Sequence, residues 1–347
     1  MTSLSSGTIN IAIDAMGGDK APESVILGAE LFLKKYPKKK SYFKIFGDRN
    51  KINHLVKRCE LLSDRSELIH TDQAVSPDEK PSSAIRNCRQ SSMQLAIDSV
   101  KNKEADCCVS AGNTGALMAM SKITLRPMNG INRPAICAIF PTIKKQIAML
   151  DLGANVECDA TNLYQFAIMG EAFAKIALNI RTPKIGLLNI GSEDLKGKDS
   201  VQLAHKMLNE TNLPLDYRGY VEGNQIVQGN HDVIVTDGFS GNIALKSIEG
   251  AVKFFKHVIA EGFKSSILSK IGYLLSKSAM NKTKDYLDPR KFNGAMFVGL
   301  KGIVVKSHGS MDEIGFANAI KVAYDLAAAK IQDQIAEELK ESVISDI

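Results

Sequence analysis

Hydrophobic residues in this chain come in short, dense runs. "INIAID" (9–14), "YFKIFG" (42–47), "ADCCVS" (105–110), "AICAIF" (135–140), "AMLDLG" (148–153), "KIGLLNIG" (184–191) and "DVIVTDG" (232–238) are short and nearly all apolar. Strands covered on both faces read this way. Between many of them the apolar positions take helical spacing, over 23–36, 82–101, 162–178 and 201–210. Alternating strands and helices predict an α/β fold with a largely parallel sheet, and right-handed crossovers place helices on both faces. "GIVVK" (302–306) is a late strand and 312–342 a terminal helix. From about 253 to 293 strands disappear and a long helical stretch takes over. With no internal repeat and no low-complexity linker, residues 1–347 read as one unit with a helical arm at 253–293.

Composition narrows the class. The chain has 347 residues, 44% hydrophobic and 24% charged, enough for an ample core. No apolar run reaches the roughly 18 to 20 residues that span a bilayer. "MTSLSSGTIN" has neither the basic nor the apolar region of a signal peptide, so the cytoplasm is the expected location. The six cysteines form no C-x-x-C pair and no cluster with zinc spacing; they read as reduced cytosolic thiols, with no metal site. A net charge of +6 does not imply nucleic acid, but it suits an acidic partner or an anionic membrane surface.

The candidate chemistry lies in turns. Ligands of open α/β sheets bind beyond the carboxyl ends of the strands. There the chain places "DAMGGDKAP" (14–22), "SAGNTG" (110–115), "DLGANVECD" (151–159), "NIGSEDLKG" (189–197), "DGFSGN" (237–242) and "KSHGSMD" (306–312). Each offers glycine for close backbone approach and polar side chains beside it. Any one of them is an ordinary turn; six on one sheet are expected to converge on one cleft. None matches a dinucleotide fingerprint or a P-loop, and no cofactor is called for. "SAGNTG" opens a helix near Asn113 or Thr114. Its free amides with Ser110, Asn113 and Thr114 make an anion cradle, while a plain N-cap by Asn113 or Thr114 needs the same residues. Lys196 is a counter-charge for phosphate or an oxyanion, Asn242 a donor to a carbonyl, and His308 a donor to phosphate or an acid/base.

Taken in order, "IAIDAMGGDKAP", "EKPSSAIRNCRQSSM", "SAGNTGALM", "GINRPA", "LDLGANV", "QFAIMG", "GLLNIGSEDLKG", "VTDGFSGNIALKSIEG" and "FNGAMFVGLKGIVVKSHGS" resemble the bacterial phosphate acyltransferases of phospholipid synthesis, the PlsX family. The likeness covers about residues 9 to 325 and is poorest over 36–66 and 262–290. "GSED" stands where many relatives have "GEE". The resemblance implies a three-layer α/β/α sandwich like that of phosphotransacetylases and isopropylmalate-type dehydrogenases, usually a homodimer. It implies transfer of an acyl group from acyl-acyl carrier protein to inorganic phosphate. A membrane glycerol-3-phosphate acyltransferase then uses the acyl phosphate. Phosphate is then the nucleophile, so no Ser or Cys nucleophile is required. On this reading Lys196, Asn242 and His308 are catalytic. Asp14, Gly17, Gly18, Ser110, Gly112, Asn113, Thr114, Gly115, Asn155, Asp237 and Ser240 bind substrate.

Three rivals remain. One is a phosphotransacetylase using acyl-coenzyme A, the second a nicotinamide-dependent dehydrogenase on the same fold, and the third a non-catalytic scaffold at the membrane. Residues 263–280, "FKSSILSKIGYLLSKSAM", set Phe263, Ile267, Leu268, Ile271, Leu274, Leu275 and Ala279 on one arc of a helical wheel. That arc predicts either a packing or dimer-contact helix or a basic amphipathic segment lying on anionic membrane, and so a protein peripheral to its inner face.

Overall fold

Eleven strands form one sheet in the computed structural model, which describes residues 7–344. They are β1 (Ile9–Asp14), β2 (Ser41–Gly47), β3 (Ser66–His70), β4 (Cys107–Ser110), β5 (Ala135–Pro141), β6 (Gln146–Leu150), β7 (Lys184–Leu188), β8 (Asp216–Val221), β9 (Val233–Val235), β10 (Ala295–Val298) and β11 (Ile303–Lys306). Their order is β3-β2-β1-β4-β11-β10-β5-β6-β9-β7-β8. The strand period of two sends alternate residues to opposite faces. Ile11 and Ile13 join a core with Phe32, Phe166 and Phe316, whereas Ala12 joins one with Ala96, Met120 and Phe297. Helices therefore cover both faces, as expected of a three-layer sandwich.

The sheet is parallel only within its halves. In the first half β1, β2, β3, β4 and β11 run together. In the second, β6, β9, β7 and β8 do. Between them β10 is antiparallel to β11 and to β5, and β5 is antiparallel to β6. These successive reversals leave the second half running opposite to the first. The carboxyl ends of the two sets of strands thus emerge at opposite edges of the sheet.

Several helices divide where one was expected. Residues 82–101 hold two, Pro81–Asn87 and Ser92–Lys101, because the Ser91 side chain caps the second by accepting from the Gln94 amide. The terminal helix is also two, Glu313–Ala328 and Ile331–Ile344, with Lys330 between them at a φ of 51°. The arm begins inside a long helix, Gly238–Lys264. Its first turns pack Ala244, Leu245 and Ile248 on the core, and its outer turns leave it, with Phe254 and Phe255 exposed. Residues 263–280 are not one helix. The Ser266 side chain caps a new helix, Ile267–Leu275, and a third, Lys277–Tyr286, follows the break at Ser276. Phe263 and Leu274 therefore do not share a cylinder. Among the described residues no helix is long and apolar enough to cross a membrane.

Candidate functional site

The six turns do not meet in one cavity. They form two groups, one per half of the sheet, because the strand ends they follow point to opposite edges.

In the first group, Asp14, Ser110 and Lys306 end three adjacent parallel strands in register. Asp14 is fully buried. It accepts hydrogen bonds from the hydroxyls of Ser110 and Ser92, both at 2.6 Å, and from the Met16 amide. Burial raises its carboxyl above the ordinary range; these bonds and the Lys306 charge pull the other way. Ser110 Oγ in turn accepts from the Gly112 amide at 3.0 Å. Asp14 and Ser110 are thus buried and joined to each other, and neither is part of the cavity lining described next. This packing explains Gly17, where a Cβ would stand 2.5 Å from Asp14 Oδ2 and 2.6 Å from the Gly112 nitrogen.

Next to these residues is a cavity of about 630 Å³ whose walls include Gly18, Asp19, Thr114, Gly115, Lys306 and His308. Asn113 reaches it but is committed elsewhere. Its side-chain oxygen caps the helix Thr114–Leu125 through the Ala116 amide, and its Nδ2 donates to the carbonyls of Pro77 and Glu79. The cap expected of this side chain is present, which leaves the cradle reading open, and Thr114 and Gly115 of the first turn line the cavity. His308 is exposed and hydrogen-bonded through Nδ1 to Ser310 Oγ at 2.9 Å, while its backbone amide is fixed by Asn293. Partial burial and then Lys306 lower its pKa, so the imidazole is predominantly neutral at pH 7. Lys306 itself is 8% exposed. Burial lowers its ammonium to about 8, opposed by the charges of Asp14 and Asp19.

The second group follows β6, β7 and β9. Asp151 is fully buried and takes only N–H donors: the amides of Ile136, Gly153, Ala154 and Asn155, and Asn155 Nδ2. Asn155 also ties Pro134, and its carbonyl accepts from Gly238. Its side chain is buried and both of its Nδ2 bonds stay within the protein. Asp237 caps the long helix through the Ser240 amide at 2.6 Å and pairs with Lys198 at 2.9 Å. Partial burial works to raise its pKa, but the Ser240 amide and Lys198 outweigh it and hold the carboxyl below the ordinary range. Asn242 is exposed in the first turns of the same helix, facing Gly153 so closely that a Cβ there would come 3.7 Å from its own.

Lys196 is likewise exposed, on a loop pinned by its neighbours. Asn189 Nδ2 donates to the Lys196 carbonyl at 2.9 Å, and Gly197, at a φ of 93°, leaves Asn189 no room for a Cβ beside it. Ser240 and Asp237 line a cavity of about 600 Å³ with the apolar Leu163, Leu187, Ile190 and Val201.

The long helix links the groups. Lys246 and Glu249, one to two turns beyond Asn242, lie near enough to His308 to act on its titration. Sequence reasoning missed Ser92, Asp151, Lys198 and Lys306. Only Lys306 carried a local signal, a charge ending the apolar run "GIVVK". All six cysteines are unpaired. Burial lifts the thiols of Cys107, Cys108 and Cys137 far up, and that of Cys158 to about 12, so none supplies a thiolate. Among the described residues no group of His, Cys, Asp and Glu is arranged to hold a metal.

Residues 9–334 match the family model described as fatty acid synthesis protein. The chain is 50% identical over 333 residues to the phosphate acyltransferase of Paramagnetospirillum magneticum, covering 96% of this chain and 94% of that one. It is 51% identical over 329 residues to the phosphate acyltransferase of Rhodospirillum centenum, covering 95% and 92%. In fold it is similar to a phosphotransacetylase from Streptococcus pyogenes, with a TM-score of 0.62 at 16% identity over 95% and 96% of the two chains. The EutD phosphotransacetylase from Staphylococcus aureus gives 0.58 at 16% identity over 93% and 96%. With its motifs in order across nearly the whole length and half of its residues shared, this chain belongs to the fatty acid synthesis protein family, that of the phosphate acyltransferases.

Proposed function

We propose that this enzyme moves a fatty acyl group from the thioester of acyl-acyl carrier protein to inorganic phosphate, releasing acyl phosphate and free carrier protein. The observation that carries the reading is the pair of unlike cavities in a phosphate acyltransferase chain. One is walled by glycine turns beside a buried cation; the other sets the aliphatic Leu163, Leu187, Leu188, Ile190 and Val201 beside polar and charged side chains, Lys198, Glu222 and Asp237 among them. We assign the first to a small oxyanion and the second to part of the acyl donor, whose thioester end must reach the first cavity along the long helix, the element that brings Lys246 and Glu249 close to His308. An oxygen of hydrogen phosphate attacks the thioester carbonyl carbon, the C–S bond breaks, and the pantetheine sulfur leaves as the thiol by taking up the proton that hydrogen phosphate brought. With every thiol buried, half-buried or raised, the enzyme's own part is alignment and charge stabilisation. We assign Lys196 to the developing oxyanion, Asn242 to the thioester carbonyl, and His308, with the turns at 110–115 and 307–310, to the phosphate.

The finer partners follow from surfaces. Arg86, Arg89 and Lys122 are exposed on helices or turns, and we assign them to steering the acidic carrier protein. The arm presents Ile267, Leu268, Leu274 and Leu275, each 66% exposed or more, among Lys264, Lys270 and Lys277. We assign these tips to an anionic membrane surface, and the exposed face of the long helix at Phe254, Phe255 and Val258 to a second copy in a homodimer. Delivery of the acyl phosphate to a membrane glycerol-3-phosphate acyltransferase follows from that placement. The test is incubation of the purified protein with acyl-acyl carrier protein and labelled phosphate. Labelled acyl phosphate is expected, at far higher kcat/KM than with the acyl-coenzyme A thioester. Equal or better use of the coenzyme A thioester would replace the carrier protein as donor.

A further inference from the structure

We propose that Lys306, which nothing in the motifs of the sequence assigned, is the residue that holds free inorganic phosphate in the first cavity. The inference rests on the reading of phosphate as acyl acceptor and adds the group that binds it.

Lys306 ends β11 in register with Ser110, itself in register with Asp14, so the three side chains leave the same face of adjacent strands. The lysine is more than nine-tenths buried yet forms part of the cavity wall. Its ammonium donates to two backbone carbonyls, those of Ala111 at 3.3 Å and Ser307. Among the described residues it makes no ion pair; Asp14 and Asp19 act on it only through space. Asp14 is meanwhile occupied by two serine hydroxyls and the Met16 amide. A buried ammonium with no anion at contact distance is costly, and an anion in the cavity is what would offset it.

The cavity's other walls suit a compact oxyanion. The turns at Gly18 and Gly309 lie so close that the Asp19 amide donates to the Gly309 carbonyl at 2.9 Å, and a Cβ on Gly18 would stand 3.0 Å from Ala111 Cβ. Backbone at Gly18 and Gly309 therefore comes close beside Lys306, with Asp19, Thr114 and His308 completing that part of the wall. The first-turn amides of the helix Thr114–Leu125 enter the same space. Asp19, exposed on the wall, is the one carboxylate there. It disfavours a bulky polyanion more than a single phosphate.

The same chemistry would accept either free phosphate or the phosphodiester in the pantetheine arm of the donor. Initial rates of Lys306→Met and Lys306→Arg, varied separately in phosphate and in acyl donor, separate the two. Isothermal titration with inorganic phosphate alone provides a readout that needs no turnover. For Lys306→Met the KM for phosphate is expected to rise by about tenfold or more, and the titration heat to disappear, since a hydrogen bond to a charged group is lost. The KM for the acyl donor should stay within about twofold. Lys306→Arg should recover part of the phosphate affinity. A KM that rises for the donor and not for phosphate assigns the site to the phosphodiester and overturns the proposal, as does an unchanged phosphate KM in a folded Lys306→Met.

Should that variant fail to fold, acetylation of the native protein's amines followed by mass spectrometry tests the same point. Phosphate, and not chloride at equal ionic strength, should protect Lys306; equal labelling overturns the proposal. Phosphate binding without acyl phosphate formation would sink the reaction proposed above and leave this site standing.

Discussion

Asp14 and Asp151 hold equivalent places in the two halves of the sheet. Each is a buried carboxylate at or just past the end of a parallel strand, under a glycine-bearing turn. Their surroundings differ. Asp14 is held chiefly by hydroxyls and lies beside an unpaired cation, Lys306. Asp151 is held by amides alone, and the nearby cation, Lys198, is paired with Asp237 and largely exposed. The first half therefore keeps a cation with no anion at contact distance at its cavity, while the second pairs its lysine with Asp237 and mixes aliphatic side chains with Glu222 and Asp237. Similar turns in one fold thus differ in which charges receive partners.

The comparison breaks most sharply at turnover. If the second half handles the thioester carbonyl, Lys196→Ala and Asn242→Ala should each lower kcat by about a hundred- to a thousandfold, the usual loss for one oxyanion donor, about 2.7 to 4 kcal/mol. Both side chains are exposed, so the midpoint of chemical denaturation should hardly move. Near-normal turnover in both folded variants would remove the second half from the chemistry.

Stability sharpens the contrast between the aspartates. Asp151→Asn introduces an N–H₂ among donors that cannot reverse, and should cost on the order of 3 kcal/mol in urea unfolding. Asp14→Asn should cost about 1 kcal/mol or less, because serine hydroxyls rotate to accept. Equal losses would mean that the two turns are braced alike.

The halves should also answer pH in the same sense but in separate windows, one alkaline and one acidic. The Lys306 ammonium lies at about 8 when folded, below its ordinary 10.5, so the unfolded chain binds more protons between those values. This group's contribution to stability therefore improves as pH rises from about 8 past 10. Asp237 lies below its ordinary value of 3.8, so its contribution is present above that value and lost as pH falls through the lower folded one. Asp14, Asp19 and His308 share the field of Lys306, so the comparison belongs between wild type and Lys306→Met. Unfolding free energies at about pH 7.5 and about pH 9.5 should show the rise shrink in the variant. An unchanged slope would place the titration elsewhere.

The smallest effect is steering. The KM for the carrier-protein donor should climb severalfold from about 0.05 to about 0.3 M salt. Arg86→Ala with Arg89→Ala should flatten that dependence without altering the KM for phosphate. A donor KM indifferent to salt in the native protein would dismiss these arginines.

Much of the fold was legible because buried parallel strands write themselves as apolar runs, and β1, β4, β7 and β11 fall where those runs lie. The edge strands β3 and β8 were not, since half-exposed "SELIH" and "DYRGYV" carry polar residues throughout. Nor was the direction of β5, β6 and β10, because a run of apolar residues does not record which way its neighbours point. That gap separated the turns into two groups where one cleft was expected. Within the site, glycine turns identified the neighbourhood but not the roles. Asp14, Ser110 and Asn155 are buried and hydrogen-bonded within the protein, a packing that their sequence does not record. Lys306 required the register of three strands distant in sequence to acquire a meaning.

The strand order also has a consequence for the chain as it is made. β4 emerges from the ribosome long before β11, the strand that lies against it. Until then the first half carries an unpaired edge of buried, cysteine-containing backbone, "CCVS", open to any other extended chain. The cavity is equally unfinished, for among the described residues its buried cation, Lys306, arrives on that late strand. A chain halted before β11 would therefore be prone to aggregate and, if Lys306 holds phosphate as proposed, without its anion site. Completion of synthesis, joining of the sheet and acquisition of ligand become a single event.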